Sequence, residues 1–284
     1  MFLHSDIKGG DLPPRTLCLT YDDGPGATVT AGPGPRTVEL AEYLHSEGIE
    51  AAFFVLGRHA RRRPEALETL ARLGHAIGNH TENHSGLVAL AEKQGDVVTE
   101  LAAVDALIRP FSAGKPIFFR APYGNWRQID PNTGEDCAHS IVADILNYSQ
   151  RFGDYVGPVN WDISAEDFSF WRNRASAAAA CDAYLRKIES IQRGIVLMHD
   201  SSDEKAVRHN NRTLALTMLL VPELKRRGFR FVPLGTLPQM GQFCPGTMED
   251  AKDGCSRCAS DGDHDHPQSP RRSAQVACEA GQSL

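Results

Sequence analysis

The sequence predicts an α/β fold, a distorted barrel of about seven parallel strands with a helix or long connection after each. Three observations carry this. Short apolar runs of strand length alternate with longer segments of helical spacing across roughly 220 residues. The strand-to-helix order repeats, which favours parallel pairing with right-handed crossovers. Polar clusters fall where the strands end, the face on which a parallel barrel collects its chemistry. An open doubly wound sheet is the alternative, but no glycine fingerprint for a dinucleotide supports it.

Taken in order, residues 1–14 read as an N-terminal extension and residues 15–238 as the folded, catalytic domain. The first strand is Thr16-Leu17-Cys18-Leu19, running into Thr20-Tyr21-Asp22-Asp23-Gly24-Pro25, where Gly-Pro marks the turn. Residues 37–44 have helical spacing, with Gly48 as C-cap. Ala51 to Leu56 is a continuous apolar run and reads as a buried strand. Pro64 opens a helix that stops at Gly74. Further strands are expected at 76–79, 117–120, 158–163, 194–198 and 229–232, with helices at 97–108, 175–191 and 212–227. From about residue 239 to 284 the chain is rich in Asp, Ser, Gly, Cys and His, and reads as a disordered tail. Cys244, Cys255, Cys258 and Cys278 with His264 and His266 could bind zinc there, but the spacing matches no ordinary finger.

Composition excludes several classes. Hydrophobic content of 41%, charged content of 23% and a net charge of −6 are ordinary for a globular protein, and no basic stretch suggests nucleic acid. Arg61-Arg62-Arg63 reads as a solvated helix entry. No apolar stretch approaches the ~18–20 residues needed to span a membrane. The first residues lack an apolar signal core, so the cytoplasm is the expected location unless a leader has been removed. Seven Cys, scattered through the chain and concentrated in the tail, do not form a disulfide framework.

Five strand ends carry candidates for chemistry. Asp22 and Asp23 close the first strand, and adjacent carboxylates there can take different jobs, one on a metal and one on a proton. His80 and His84, spaced i, i+4, can turn both imidazoles to one point. With a strand-end Asp they make a two-His, one-carboxylate set suited to one catalytic divalent metal: zinc first, with cobalt, manganese or iron also admissible. Arg120, at another strand end, needs a carboxylate partner. His199 leaves the buried run Gly194 to Met198 and is a candidate acid.

These stretches resemble the NodB-homology polysaccharide deacetylases, carbohydrate esterase family 4. The resemblance covers about residues 15–235 and rests on five motifs in order: 20–25, 80–84, Arg120-Ala121-Pro122-Tyr123, the segment from Trp161 to Phe168, and Leu197-Met198-His199-Asp200. It implies a distorted (β/α) barrel and a metal-dependent hydrolase that removes N-acetyl groups from an N-acetylglucosamine polymer or oligomer of chitin or peptidoglycan type. It implies Asp22 as general base oriented by Arg120, Asp23, His80 and His84 as metal ligands, and His199 as general acid. The Tyr123 backbone N–H would stabilise the oxyanion, and Leu197 would line the acetyl pocket. Trp161 and Phe168 belong to the pocket wall. The fourth motif departs from the family: it ends in Asp167-Phe168 where Asp-Trp is usual, and Ser164 stands where another Asp would support the acid histidine. Asp162, two residues before Ser164 and on the same strand face, is expected to take that place. A deformylase or cyclic-amide hydrolase, an O-acetyl xylan esterase, and an inactive carbohydrate-binding protein remain as alternatives.

Overall fold

The computed structural model describes residues 1–242, apart from positions 28, 30 and 131. Among the described residues eight strands fall into two sheets, and every strand pair is parallel. The larger contains β2 (Thr16–Asp22), β3 (Ala52–Val55), β4 (Ala76–Asn79), β7 (Arg193–His199) and β8 (Arg230–Phe231), ordered β4-β3-β2-β7 with β8 also on β2. The smaller is β1 (Phe2–Ile7), β6 (Tyr155–Val159) and β5 (Ile117–Phe118), ordered β1-β6-β5. The helices are α1 (Thr37–Ser46), α2 (Gly57–Ala60), α3 (Pro64–Arg72), α4 (Leu87–Glu92), α5 (Val97–Ile108), α6 (Ile141–Tyr148), α7 (Asp167–Arg172), α8 (Ala177–Ile191), α9 (Lys205–His209) and α10 (Thr213–Arg226).

Every residue of β2 is buried, and the period of two divides its side chains. Leu17, Leu19 and Tyr21 join the large cluster under the helices. Cys18 points the other way, into a second cluster with Phe54 and Ile195 of its own sheet and Ile7, Phe118 and Val156 of the other. This second cluster therefore lies between the sheets. The helices cover the outside with apolar stripes. On α10, Thr213, Leu216, Thr217, Leu220, Val221 and Leu224 are buried at i, i+3, i+4 spacing. Side-chain caps start several of them: Asp96 accepts from Thr99 N (2.9 Å), Ser140 from Ala143 N (3.1 Å) and Ser176 from Ala179 N (3.1 Å).

Two short stretches join the sheets, so the pairing is two sheets linked by isolated bridges. Beyond β5, Phe119 bridges to Asn79, and Arg120 N donates to Asn79 O (3.0 Å). Beyond β6, Asn160 N still donates to Ile7 O, while Asp162 N and Ile163 N both donate to Ile195 O on β7. The strand expected at 158–163 therefore begins and ends earlier, and its second half crosses to the other sheet.

The stretch expected as an N-terminal extension supplies β1. Its polar centre, His4-Ser5-Asp6, hides the strand, and its register on β6 shifts between Phe2 and Ile7, so alternation is broken. At the other end residues 238–242 form a 3₁₀ turn that buries Met240, so the fold runs past the expected boundary. The rest of the expected disordered tail, with its Cys/His cluster, lies outside the described residues. No helix is long and apolar enough to cross a membrane among the described residues.

Candidate active site

The strand ends of both sheets converge on one cavity of about 650 Å³. It is lined by Asp22, Asp23, His80, His84, Tyr123, Trp161, Phe168, Leu197 and His199, which the sequence singled out from five separate stretches.

Asp22 is the last residue of β2 and is fully buried. Its Oδ1 accepts from Arg120 Nη1 at 2.6 Å. Arg120 has no exposed surface, and its guanidinium also donates to Thr20 Oγ1 (2.9 Å), Val159 O (3.0 Å) and Asn160 O (3.3 Å). The Phe54 ring lies 4.2 Å below it. Burial pushes the Asp22 pKa up, and Arg120 draws it back.

Asp23 takes a left-handed conformation, φ 72°. Asp tolerates this region better than most residues. The turn aims its Oδ1 toward His80 Nε2 (3.6 Å) and His84 Nε2 (3.4 Å), and Asp22 Oδ2 lies 3.7 Å from the same His80 nitrogen. The loop carrying both histidines is fixed from below. Asn79 Oδ1 accepts from Thr81 N, and Thr81 Oγ1 accepts from His84 N. His80 Nδ1 donates to Arg120 O (2.8 Å), which leaves the Nε2 lone pair facing Asp23.

That arrangement fits a cation. Asp23 Oδ1 is buried and has no hydrogen-bond partner among the described residues. A carboxylate oxygen that faces an imidazole lone pair at this distance gains nothing unless a positive ion lies between them. Burial holds both His80 and His84 down to about 3, so both are neutral, as ligands must be. Burial lifts Asp23 to about 7, the mark of a carboxylate without its counter-charge. Asp23, His80 and His84 could therefore hold one metal ion.

His199 ends β7. Its Nδ1 bonds to Asp167 Oδ1 (2.8 Å), and its backbone N donates to Asp167 Oδ2 (2.8 Å). Asp167, the first residue of α7, is fully buried and also accepts from Tyr184 Oη (3.3 Å). Burial alone would lower the His199 pKa, but the carboxylates of Asp167, Asp23 and Asp22 together raise it to about 10. The Phe168 ring stands edge-on to the imidazole, 5.6 Å away.

The expected partnership of Asp162 with His199 does not form. Asp162 Oδ2 accepts from Gly9 N and Ile195 N, both at 2.8 Å, and so ties the end of β1 to β7. The strand ends before Asp162, so the alternation that would have turned it toward His199 does not operate. Asp167 replaces it because α7 starts there and lays its first carboxylate under β7. Acidic residues favour a helix's first turn, and that signal was present in Glu166-Asp167.

The remaining candidates sit on the rim. Tyr123, φ 61°, is 70% exposed, and its ring lies 4.5 Å from that of His84. Gly124 makes room for Trp161: a Cβ there would come within 2.8 Å of the indole. Leu197, buried on β7 two residues before His199, lines the cavity on the same strand face. The sequence also gave no role to Asp200, which is buried against Gly24 and accepts from Thr37 Oγ1.

A family model described as polysaccharide deacetylase matches residues 9–138. The chitooligosaccharide deacetylase of Sinorhizobium fredii is 30% identical over 222 residues, spanning 75% of this chain and 87% of that one. The chitin deacetylase of Colletotrichum lindemuthianum is 28% identical over 229 residues, 78% of this chain and 79% of its own. Among solved structures, the Bc1960 peptidoglycan N-acetylglucosamine deacetylase shares the fold with a TM-score of 0.59 at 24% identity, covering 81% of this chain and 91% of that one.

Proposed function

The chain belongs to the polysaccharide deacetylase family, and from that premise we propose that it hydrolyses the N-acetyl groups of an N-acetylglucosamine oligomer or polymer. The observation that carries this reading is one cavity with three kinds of equipment side by side. It holds a two-His, one-Asp cradle, a carboxylate fixed by Arg120, and a histidine raised by Asp167.

The cradle suits zinc, and cobalt, manganese or iron share its donor set. Asp23, His80 and His84 would hold the divalent ion, which would supply polarisation of the amide carbonyl and a water of lowered pKa. Asp22 accepts the proton of the attacking water. Arg120 holds one Asp22 oxygen, so the other stays directed into the cavity. The Tyr123 backbone N–H donates to the oxyanion as the carbonyl carbon becomes tetrahedral. His199 enters the reaction protonated and gives its Nε2 proton to the leaving nitrogen. Amines leave amides poorly as anions, so this proton is what allows the C–N bond to break. Asp167 holds Nδ1 throughout and keeps the ring oriented. Acetate and a free amino sugar result, with the acetyl methyl against Leu197.

Acetate release from N-acetylglucosamine oligomers and peptidoglycan fragments tests the proposal. Release is expected to stop on chelation, return with zinc or cobalt, and fall by about 10²–10⁴-fold in Asp22→Asn, the range for loss of a general base. Metal binding without release from any glycan would instead favour a small-molecule amide hydrolase.

A further inference from the structure

We infer that His59 is a positioning residue for the metal cradle, acting through the backbone of Asp23. His59 belongs to α2, which follows β3 after one residue, and it is buried. Its Nδ1 donates to the Asp23 carbonyl oxygen at 2.7 Å. Its Nε2 lies 3.2 Å from Asp203 Oδ1, and Asp203 also pairs with Arg58. One ring therefore spans from the loop after β2 to the loop after β7.

The placement matters because Asp23 is held left-handed, at φ 72°. An L-residue leaves that region readily unless its peptide groups are fixed. On the far side Leu56 N donates to Gly24 O at 2.9 Å. The Asp23 carbonyl is fixed by His59, and that carbonyl defines ψ of Asp23. A free ψ would swing the chain and, with it, the direction in which Oδ1 meets the two imidazoles. Groups that orient a ligand without touching the ion commonly set its affinity by 10–100-fold. At the other end of the ring Asp203, which lines the cavity, is held by Arg58.

The two nitrogens can be separated by substitution. His59→Asn places an amide N–H near the position of Nδ1 and keeps the donor to Asp23. His59→Gln places its amide near Nε2 and keeps only the reach to Asp203. Zinc affinity of the full chain, measured by competition with a chromogenic chelator, is the readout, and no substrate is involved. His59→Gln is expected to weaken zinc binding by about tenfold or more, and His59→Asn to stay within about threefold of the parent. Far-UV circular dichroism and thermal unfolding of the chelated proteins show whether both variants are folded. Equal affinity in His59→Gln and the parent, or equal losses in the two variants, would overturn the inference. The inference rests on Asp23 being a ligand. A parent chain that binds no zinc would refute that reading itself, whereas a zinc-binding parent with an unaffected His59→Gln refutes only the role of His59.

Discussion

Asp167→Asn tests the proposed role of His199 as the acid. The substitution keeps shape and a hydrogen-bonding group but removes the charge 2.8 Å from His199 Nδ1. In the parent, burial pulls His199 down while Asp167, Asp23 and Asp22 lift it to about 10. At pH 8 such a group is about 99% protonated. Were it to return to the ordinary histidine value of about 6.5, only about 3% would be, a loss of roughly 30-fold in acid form. In the variant burial still lowers the group while Asp22 and Asp23 still raise it, so the fall reads the loss of Asp167 alone. A movement of about one pH unit, or about 1.4 kcal/mol, is the smallest consistent with Asp167 as the leading charge. The assay is the pH dependence of kcat/KM for acetate release with zinc saturating, which reports the free enzyme. The alkaline limb should shift acidward from its place in the parent. Stability offers a second reading. His199 has a folded pKa above its unfolded one, so the pair stabilises the fold fully below about 6.5. That contribution fades as pH rises through about 10, so the gap in thermal stability between parent and variant should be widest below about 6.5 and close in strong alkali. An alkaline limb that stays in place in Asp167→Asn would refute the assignment.

Two further outcomes follow from the same site. Because Asp23 is lifted to about 7 while His80 and His84 are held to about 3, zinc binding at pH 6 should release about one proton from the ligand set. Calorimetry in buffers of different ionisation enthalpy measures this, and release of three protons would contradict it. Gly124→Ala should cost about 1 kcal/mol or more of stability, because φ is +64° and the new Cβ meets Trp161 at 2.8 Å. It should also lower kcat/KM by displacing the rim at Tyr123, which chemical denaturation and steady-state kinetics would separate.

Much of this site was legible because its residues sit in buried strands or next to glycines, where few other readings fit. Asp22 and His199 follow apolar runs too long to be loops, and the strands at 52–55, 76–79 and 193–199 lie close to their expected places. What escaped the sequence was where strands stop. The run at 158–163 looks continuous, but the chain changes sheets after Val159, and that change is written in bonds to Ile7 and Ile195, far away in sequence. The misplacement of Asp162 followed from it. The role of Asp167 depends on a helix start that lies against β7, a tertiary fact. His59 gave no signal, because its partners are a carbonyl and a carboxylate brought together only by folding. The strand at 2–7 was hidden by its polar centre.

The Arg120 side chain has a consequence beyond catalysis. It leaves the small sheet, takes two carbonyls from the end of that sheet, and takes Thr20 and Asp22 from the large one. A lysine has charge enough, but its single ammonium cannot reach four acceptors arrayed on both sides of a seam. If the sheets assembled one register out of step, a fully buried cation would lose its counter-ion and half of its bonds. Such a charge is among the costliest things a protein interior can contain. The site thus acts as an inspector of assembly, since a chain whose halves are misaligned cannot close around Arg120, and a chain that does close has already set Asp22, the proposed base, in place.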